Sequence, residues 1–375
     1  MCSSDLVSTT AVAASGAYQR RVRERKTNDG PADENDAAIE RGLSYLARQQ
    51  RPDGSWSLAV GNETTILSSD VAATGLALLA FHGANYNHRQ DKYQDQVRAG
   101  LDFLVRNQRE DGDLFLPADD QSNQSVWLYS HSIAALALSE AYGLTQDPAL
   151  REPAQKALQF IVGAQHPQRG GWRYAPGVGA DTSVSGWMTM ALESGKRAGL
   201  QVPDTAYVGM QRWLDAAQIS ATERHLFRYN PWAADNPQQR HGRSATKTMT
   251  AVGLLMRLYC GWKPDHPDFI RGTDYLAQQL PRLGTAQDLQ RDTYYWYYAT
   301  QVMLHRGGAV WDAWRDRLFG LLRETQVKDG PQAGSWDPLL PVPDKWGAHA
   351  GRLYVTAMNL LSLEVKNRSF SLYER

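Results

Sequence analysis

From about residue 36 to residue 365 the chain alternates two kinds of apolar pattern, both at the three- and four-residue spacing of a helix. In one kind an apolar stripe runs between Arg, Gln, Glu and Asp, as over 38–50, 93–108, 152–165, 205–217, 268–280 and 310–325. In the other, small and apolar residues occupy nearly every side, as over 69–83, 129–143, 181–195, 244–260, 292–307 and 350–365. A striped helix suits an outer position with one wet face, and a helix that is apolar all round must be enclosed by protein. The enclosed segments return at the period of a helix-hairpin repeat. Six such hairpins predict an all-α fold, an (α/α)6 toroid or barrel with an inner and an outer ring of helices. Closure of the ring also removes the need for polar capping repeats at the ends of the array.

A short phrase punctuates the hairpins. RGLSYLARQQRPDGSW at 41–56 returns as KALQFIVGAQHPQRGGW at 156–172 and FGLLRETQVKDGPQAGSW at 319–336, with a worn copy, AGLDFLVRNQREDGDLF, at 99–115. Each copy runs from a helix through Gln to a Gly-rich turn that closes on an aromatic residue. PDG, EDG and KDG place Gly54, Gly112 and Gly330 where a left-handed turn residue is needed. The phrase reads first as a structural clamp, the Gln bonding a loop and the Trp folding back on its hairpin.

The flanks differ from this body. Residues 1–35 are polar and then charged, a tail or linker; 36–365 form a single domain; 366–375 are an exit segment. The start lacks the basic region and long apolar run of a secretory signal. The chain reads as a soluble domain of unassigned compartment, with a fragment of a larger or membrane-anchored protein left open.

Forty basic residues balance forty acidic ones, so no nucleic-acid or anionic-membrane partner is expected. No apolar run is long enough to span a membrane. With only two Cys, Cys2 and Cys260, neither a disulfide framework nor a Cys-rich zinc site is available. Phosphate-loop, nucleophile-elbow and HExxH motifs are absent, and no cofactor or metal is expected. Twelve Trp and seventeen Tyr supply aromatic rings for a core or for a ligand cavity.

Near the starts of the enclosed helices lie Asp70, His131, Asp181, Lys247, Asp292 and His349. In a closed ring these starts gather around one mouth, where ionisable groups can form an acid–base or ligand site. Behind them, Trp187, Tyr294, Tyr295, Trp296, Tyr297, Tyr298 and Tyr354 are the matching candidates for an apolar cavity wall. The run YYWYY at 294–298 cannot turn every ring to one face, because successive side chains rotate by about 100°.

The Gln…Gly-x-Trp phrases resemble the repeats of squalene–hopene cyclases and of protein prenyltransferase β subunits. Over 36–365 the chain is most similar to bacterial prenyltransferase/squalene-oxidase repeat proteins, through DTSVSGWMTMALESGKRAGLQVP at 181–203 and GRLYVTAMNLLSLEV at 351–365. The resemblance implies an α/α toroid whose central cavity, in the enzymes, holds an isoprenoid. It makes Asp181 and Asp292 the candidate catalytic residues. Asp181 matches the last Asp of the cyclase D-x-D-D-T motif, where Val178 and Ala180 replace the other two. Asp292 matches the zinc-binding Asp of the prenyltransferases, where Tyr294 replaces the Cys. Both also read as helix N-caps.

The sequence therefore supports a toroid that binds a small hydrophobic, isoprenoid-class ligand in its central cavity, with both well-known catalytic constellations incomplete. A non-catalytic interaction toroid and a carbohydrate-active α/α barrel are the alternatives. The long connection 228–247 reads as a lid over the mouth or as an exposed insertion.

Overall fold

Each striped segment forms an outer helix and each enclosed segment an inner one. The computed structural model describes residues 34–60 and 63–366, so the expected tail and exit segment fall almost wholly outside it. The outer helices are α1 (Glu34–Arg48), α3 (Gln94–Arg106), α5 (Pro148–Ala164), α7 (Asp204–Ala217), α9 (Pro267–Ala277) and α11 (Gly308–Thr325). The inner helices are α2 (Asp70–Gly83), α4 (Asp120–Thr145), α6 (Thr182–Arg197), α8 (Lys247–Tyr259), α10 (Thr293–Arg306) and α12 (Gly347–Leu363). Every inner helix packs against the next, and α12 packs back on α2, which closes the ring. Among the described residues no strand forms beyond isolated bridges such as Trp172 with Asp181.

Five inner helices start at a side-chain cap. Ser69, Asp119, Asp181, Thr246 and Asp292 each accept from the backbone N–H three residues on. These contacts satisfy donors that the first turn leaves free, and an aspartate also meets the positive end of the helix dipole. The cap at Asp119 starts α4 well before the expected residue 129. Its first turns are polar and partly wet, so the apolar pattern did not reveal them.

The repeated phrase clamps neighbouring outer helices. The amide of Gln50 donates to Gly54 O in its own turn at 3.0 Å and to Gln96 O on α3 at 2.8 Å. Gln108 does the same with Gly112 and Pro153, and Gln165 with Gly170 and Ala206. The Trp ties a hairpin together. Trp56, Trp172 and Trp336 are fully buried, and each indole N–H donates to a carbonyl in the last turns of its own outer helix, at 2.7 to 2.9 Å. Their backbone N–H groups donate to Thr74, Ser185 and Thr356 on the inner helices. Phe227 with Thr250 and Leu114 with His131 fill the same places where the Trp is missing.

Candidate ligand site at the mouth of the toroid

The starts of the inner helices meet at one face. Ser69 Oγ lies 2.7 Å from Ser130 Oγ, Tyr129 bonds Ser183, and Leu67 N–H donates to His349 O at 2.9 Å. The Tyr294 hydroxyl donates across the opening, from α10 to the carbonyl of Ser183 on α6, at 3.3 Å.

Two carboxyl groups organise this face. Asp181 is fully buried; its Oδ1 caps Val184 N–H at 2.9 Å, and its Oδ2 accepts from the Tyr229 hydroxyl at 3.1 Å. Tyr229 bonds Tyr174 at 2.6 Å, and Arg173 stands 3.8 Å from Asp181. Burial pushes the Asp181 carboxyl up to about 6, against the lowering pull of Val184 N–H, Arg173 and Tyr229. Asp344 is the second. It accepts from Thr293 N–H and Trp346 N–H, both at 2.9 Å, and burial, with Asp292 nearby, raises it to about 6. Asp292 caps α10 through Tyr295 N–H, with Thr248 Oγ1 at 3.4 Å and Lys345 Nζ at 3.5 Å from its other oxygen.

Aromatic rings stand between and beneath these groups. Tyr129 and Tyr354 keep some accessible surface, yet burial raises both hydroxyls well above their ordinary range. Further in, Trp187 stacks on Tyr297 at 5.6 Å and meets the edge of Tyr298 at 6.0 Å. These three rings have almost no accessible surface and pack on one another, so the deep centre on this side is filled and the accessible aromatic surface lies at the mouth.

The structure thus brings together Asp181, Asp292 and Tyr354, with Trp187 below them. Lys247 joins from the side, its Nζ 3.1 Å from Gln290 Oε1 and 4.9 Å above the Tyr295 ring; burial lowers its pKa. Other expected members point elsewhere. His131 is fully buried between the rings, accepting from Leu114 N–H at 3.1 Å through Nδ1 and facing Ala157 O on α5 at 3.0 Å through Nε2. Tyr295 turns outward, its hydroxyl on Gln279 O at 3.1 Å and its ring edge-on to Trp314. The helical rotation that puts Tyr294 and Tyr298 inside sends Tyr295 out. Trp296 is buried. Asp70 is the first helical residue rather than the cap, and pairs with Arg51 at 2.7 Å in the open. His349 sits at the rim against Trp346.

Asp344, Tyr129, Tyr174, Tyr229, Arg173 and Thr248 were not among the expected site residues. Tyr174 and Tyr229 stand two positions after the closing aromatics Trp172 and Phe227, which is the signal that marks them. The connection 228–247 begins beside the site. The Arg228 and Tyr229 carbonyls accept from the Thr182 hydroxyl and backbone N–H at 2.6 and 2.9 Å, holding the start of α6.

A closed double ring of helix hairpins with its polar and aromatic groups gathered at one mouth matches solved folds over nearly its whole length. A variant of the type II terpene cyclase MstE from Scytonema, solved with geranylgeranyl dihydroxybenzoate, superposes with a TM-score of 0.59 at 15% identity, covering 89% of this chain and 97% of that one. The chain is a terpene-cyclase-like α/α toroid. Two curated proteins agree at the level of sequence. Lanosterol synthase from Aspergillus fumigatus is 32% identical over 156 residues, 38% of this chain and 18% of that protein. Drimenyl diphosphate synthase from Streptomyces showdoensis is 26% identical over 167 residues, 44% of this chain and 28% of that protein. The chain thus spans less than a third of either relative's length. The same fold carries other chemistry, since an α-1,6-mannanase from Salegentibacter superposes with a TM-score of 0.57 at 12% identity, covering 90% of this chain and 100% of that one. No family model matches the chain.

Proposed function

We propose that this toroid binds a hydrophobic, isoprenoid-class ligand at its mouth, with the apolar chain laid on the rings of Tyr129 and Tyr354 and backed by buried Tyr294 and the Trp187–Tyr297 stack. The observation that carries the reading is this accessible wall of desolvated aromatic residues, bordered by Asp181, Asp292 and Asp344. Flat rings offer apolar contact area, and the few carboxyl, hydroxyl and Lys247 groups would fix the polar end of the ligand. The names of the relatives, two terpenoid synthases and a cyclase holding a geranylgeranyl compound, support the same ligand class.

The reading does not include protonation of an isolated alkene. Such a step needs an unusually strong acid, and the Asp181 carboxyl is instead weakened to about 6. Ala180, the neighbour where the cyclase motif carries its proton donor, is a fully buried methyl group. Tyr294, at the position of the prenyltransferase Cys, donates its hydroxyl to a backbone carbonyl. A carboxyl titrating near 6 is suited to exchanging protons with a polarised group near neutral pH.

Thermal unfolding with geranylgeraniol, squalene and geranylgeranyl diphosphate tests the reading, with product analysis of each incubation. The expected result is a raised melting temperature, since a ligand at a hundred times its Kd stabilises by about 2.7 kcal/mol, and no cyclised hydrocarbon. No shift with any of the three contradicts ligand binding, and cyclised product lost in Asp181→Asn contradicts the mechanism.

A further inference from the structure

Asp181 cannot meet a ligand as it stands, because its carboxyl is fully buried. Val184 N–H at 2.9 Å and the Ser183 hydroxyl at 3.3 Å hold Oδ1, and both belong to the first turn of α6. Oδ2 is taken by the Tyr229 hydroxyl at 3.1 Å. Tyr229 is carried by the long connection from α7 to α8, residues 218–246, and not by a helix of the ring. That connection has a firm base and a lightly held tip. Arg228 pairs with Ala245 in an antiparallel bridge, and Asn230 N–H donates to Gly242 O at 2.8 Å. From Pro231 to His241 every hydrogen bond and ion pair among the described residues stays within the connection. The tip rests on the body through the half-exposed Trp232 ring, 5.7 Å from the fully buried Trp213 of α7, with the Arg169 guanidinium 5.1 Å over it. The seat is imperfect. Trp213 Nε1 and Arg228 Nε are buried donors with no hydrogen-bond partner among the described residues. An unmet buried donor weakens the conformation that buries it. Few ties to the body and unmet donors at the seat are the marks of a segment that opens locally.

We infer that Tyr229 is a gate on Asp181, standing where a hydroxyl of the ligand would bond, and that Trp232 is the latch that keeps it shut. The two residues lie three positions apart on one short segment, so a tip that lifts Trp232 off Trp213 draws Tyr229 away from the carboxyl. The Arg228–Ala245 pair is the pivot. The Asn230–Gly242 bond lies within the moving part, and the bond from Thr182 N–H to Tyr229 O, at 2.9 Å, is the backbone contact to α6 that opening breaks. The gate makes the site selective. A ligand with a hydroxyl replaces the bond that Tyr229 gives up, whereas a pure hydrocarbon leaves the uncovered carboxyl without a partner, and a buried polar group left unpaired disfavours the ligand that leaves it so. The site therefore takes an isoprenoid alcohol in preference to a hydrocarbon of similar length. While the latch is shut, the small open fraction lowers the apparent affinity for the alcohol. The motion rests on the connection alone. That its occupant is an isoprenoid rests on the function proposed above.

Amide hydrogen exchange without ligand tests the motion. In the wild-type chain the peptides covering 226–246 are expected to exchange at least tenfold faster than those from the middle of α6 and α10. Trp232→Ala is expected to speed them at least tenfold more, with α6 and α10 and the melting temperature unchanged. Exchange over 226–246 as slow as in those helices, or unaltered by Trp232→Ala, overturns the latch. Equilibrium binding of geranylgeraniol and of squalene to wild type and Tyr229→Phe tests the gate. The variant keeps the ring and gives up the bond to Asp181, so it is expected to bind geranylgeraniol at least threefold more tightly and squalene unchanged. Weaker binding of geranylgeraniol overturns the gate and makes Tyr229 a fixed support of the wall, and an equal gain for both ligands overturns the selectivity. Binding of neither ligand by either protein ends the proposed function, and the exchange result then upholds or overturns the latch by itself.

Discussion

The side-chain amide of Gln326 donates to the carbonyl of Ala38 at 2.8 Å, joining residues 288 apart in sequence. This is the clamp by which Gln50, Gln108 and Gln165 hold the next outer helix, used here to join α11 to α1 and seal the ring. The amide also donates to Gly334 O at 2.9 Å, and its oxygen accepts from Arg41 at 2.9 and 3.1 Å. Gln326→Leu leaves two carbonyls and a guanidinium without their partner, and each buried unmet group costs about 1–3 kcal/mol. Urea unfolding is expected to show a loss of roughly 3 kcal/mol, and a similar loss for Gln50→Leu within the array. A neutral Gln326→Leu would mean that the seam is held by something else.

The phrase needs its last glycine for space as well as for its backbone angle. Gly330 and Gly334 share one turn and both have left-handed φ, 78° and 95°. A methyl group on Gly330 meets nothing within 4 Å, whereas one on Gly334 sits 2.1 Å from Arg41 O on α1. Gly330→Ala is expected to cost about 1 kcal/mol, from the backbone angle alone. Gly334→Ala adds a backbone clash and is expected to cost above roughly 3 kcal/mol. Chemical denaturation of the two variants makes the comparison, and equal losses would contradict the role of the close approach.

The buried carboxyls give stability a definite slope with pH. Asp181 and Asp344 each rise from an ordinary 3.8 to about 6 on folding, so between those values the folded chain holds more protons than the unfolded one. Their favourable contribution is present below about pH 4 and is lost as pH rises through about 6. For each fully desolvated group the loss is on the order of 3 kcal/mol. Asp181→Asn keeps a capping side chain but cannot ionise. The stability difference between variant and wild type is therefore expected to move in favour of the variant from pH 4 to pH 7. A difference that moves the other way would place the folded carboxyl below its ordinary value.

Most of the architecture was legible because it rests on local rules. The striped and enclosed segments differ by burial alone, and the Gln, Gly and Trp of each phrase make the contacts that their spacing implies. Asp181 and Asp292 cap their helices as read from the sequence. The site was harder to read. Asp344, Tyr174 and Tyr229 lie in connections, whose course follows from the packing of helices far apart in sequence. His131 looked like a mouth residue from its place near a helix start. Because α4 begins two turns earlier, His131 lies deeper, where it replaces the Thr or Ser that receives the closing backbone N–H in other hairpins. In YYWYY only the packed neighbours, Trp314 outside and Trp187 inside, decide which ring faces which way.

Direct equilibrium binding of radiolabelled geranylgeraniol, measured for wild type and for Tyr354→Ala, tests the proposed ligand site most directly. Removing an aromatic contact of this size forfeits about 1.5–3 kcal/mol of apolar transfer. Saturable binding by wild type, weakened at least tenfold in a Tyr354→Ala variant that remains folded, is the predicted result. Absence of saturable binding, or equal affinity in the two proteins, would contradict an isoprenoid site on the aromatic wall of the mouth.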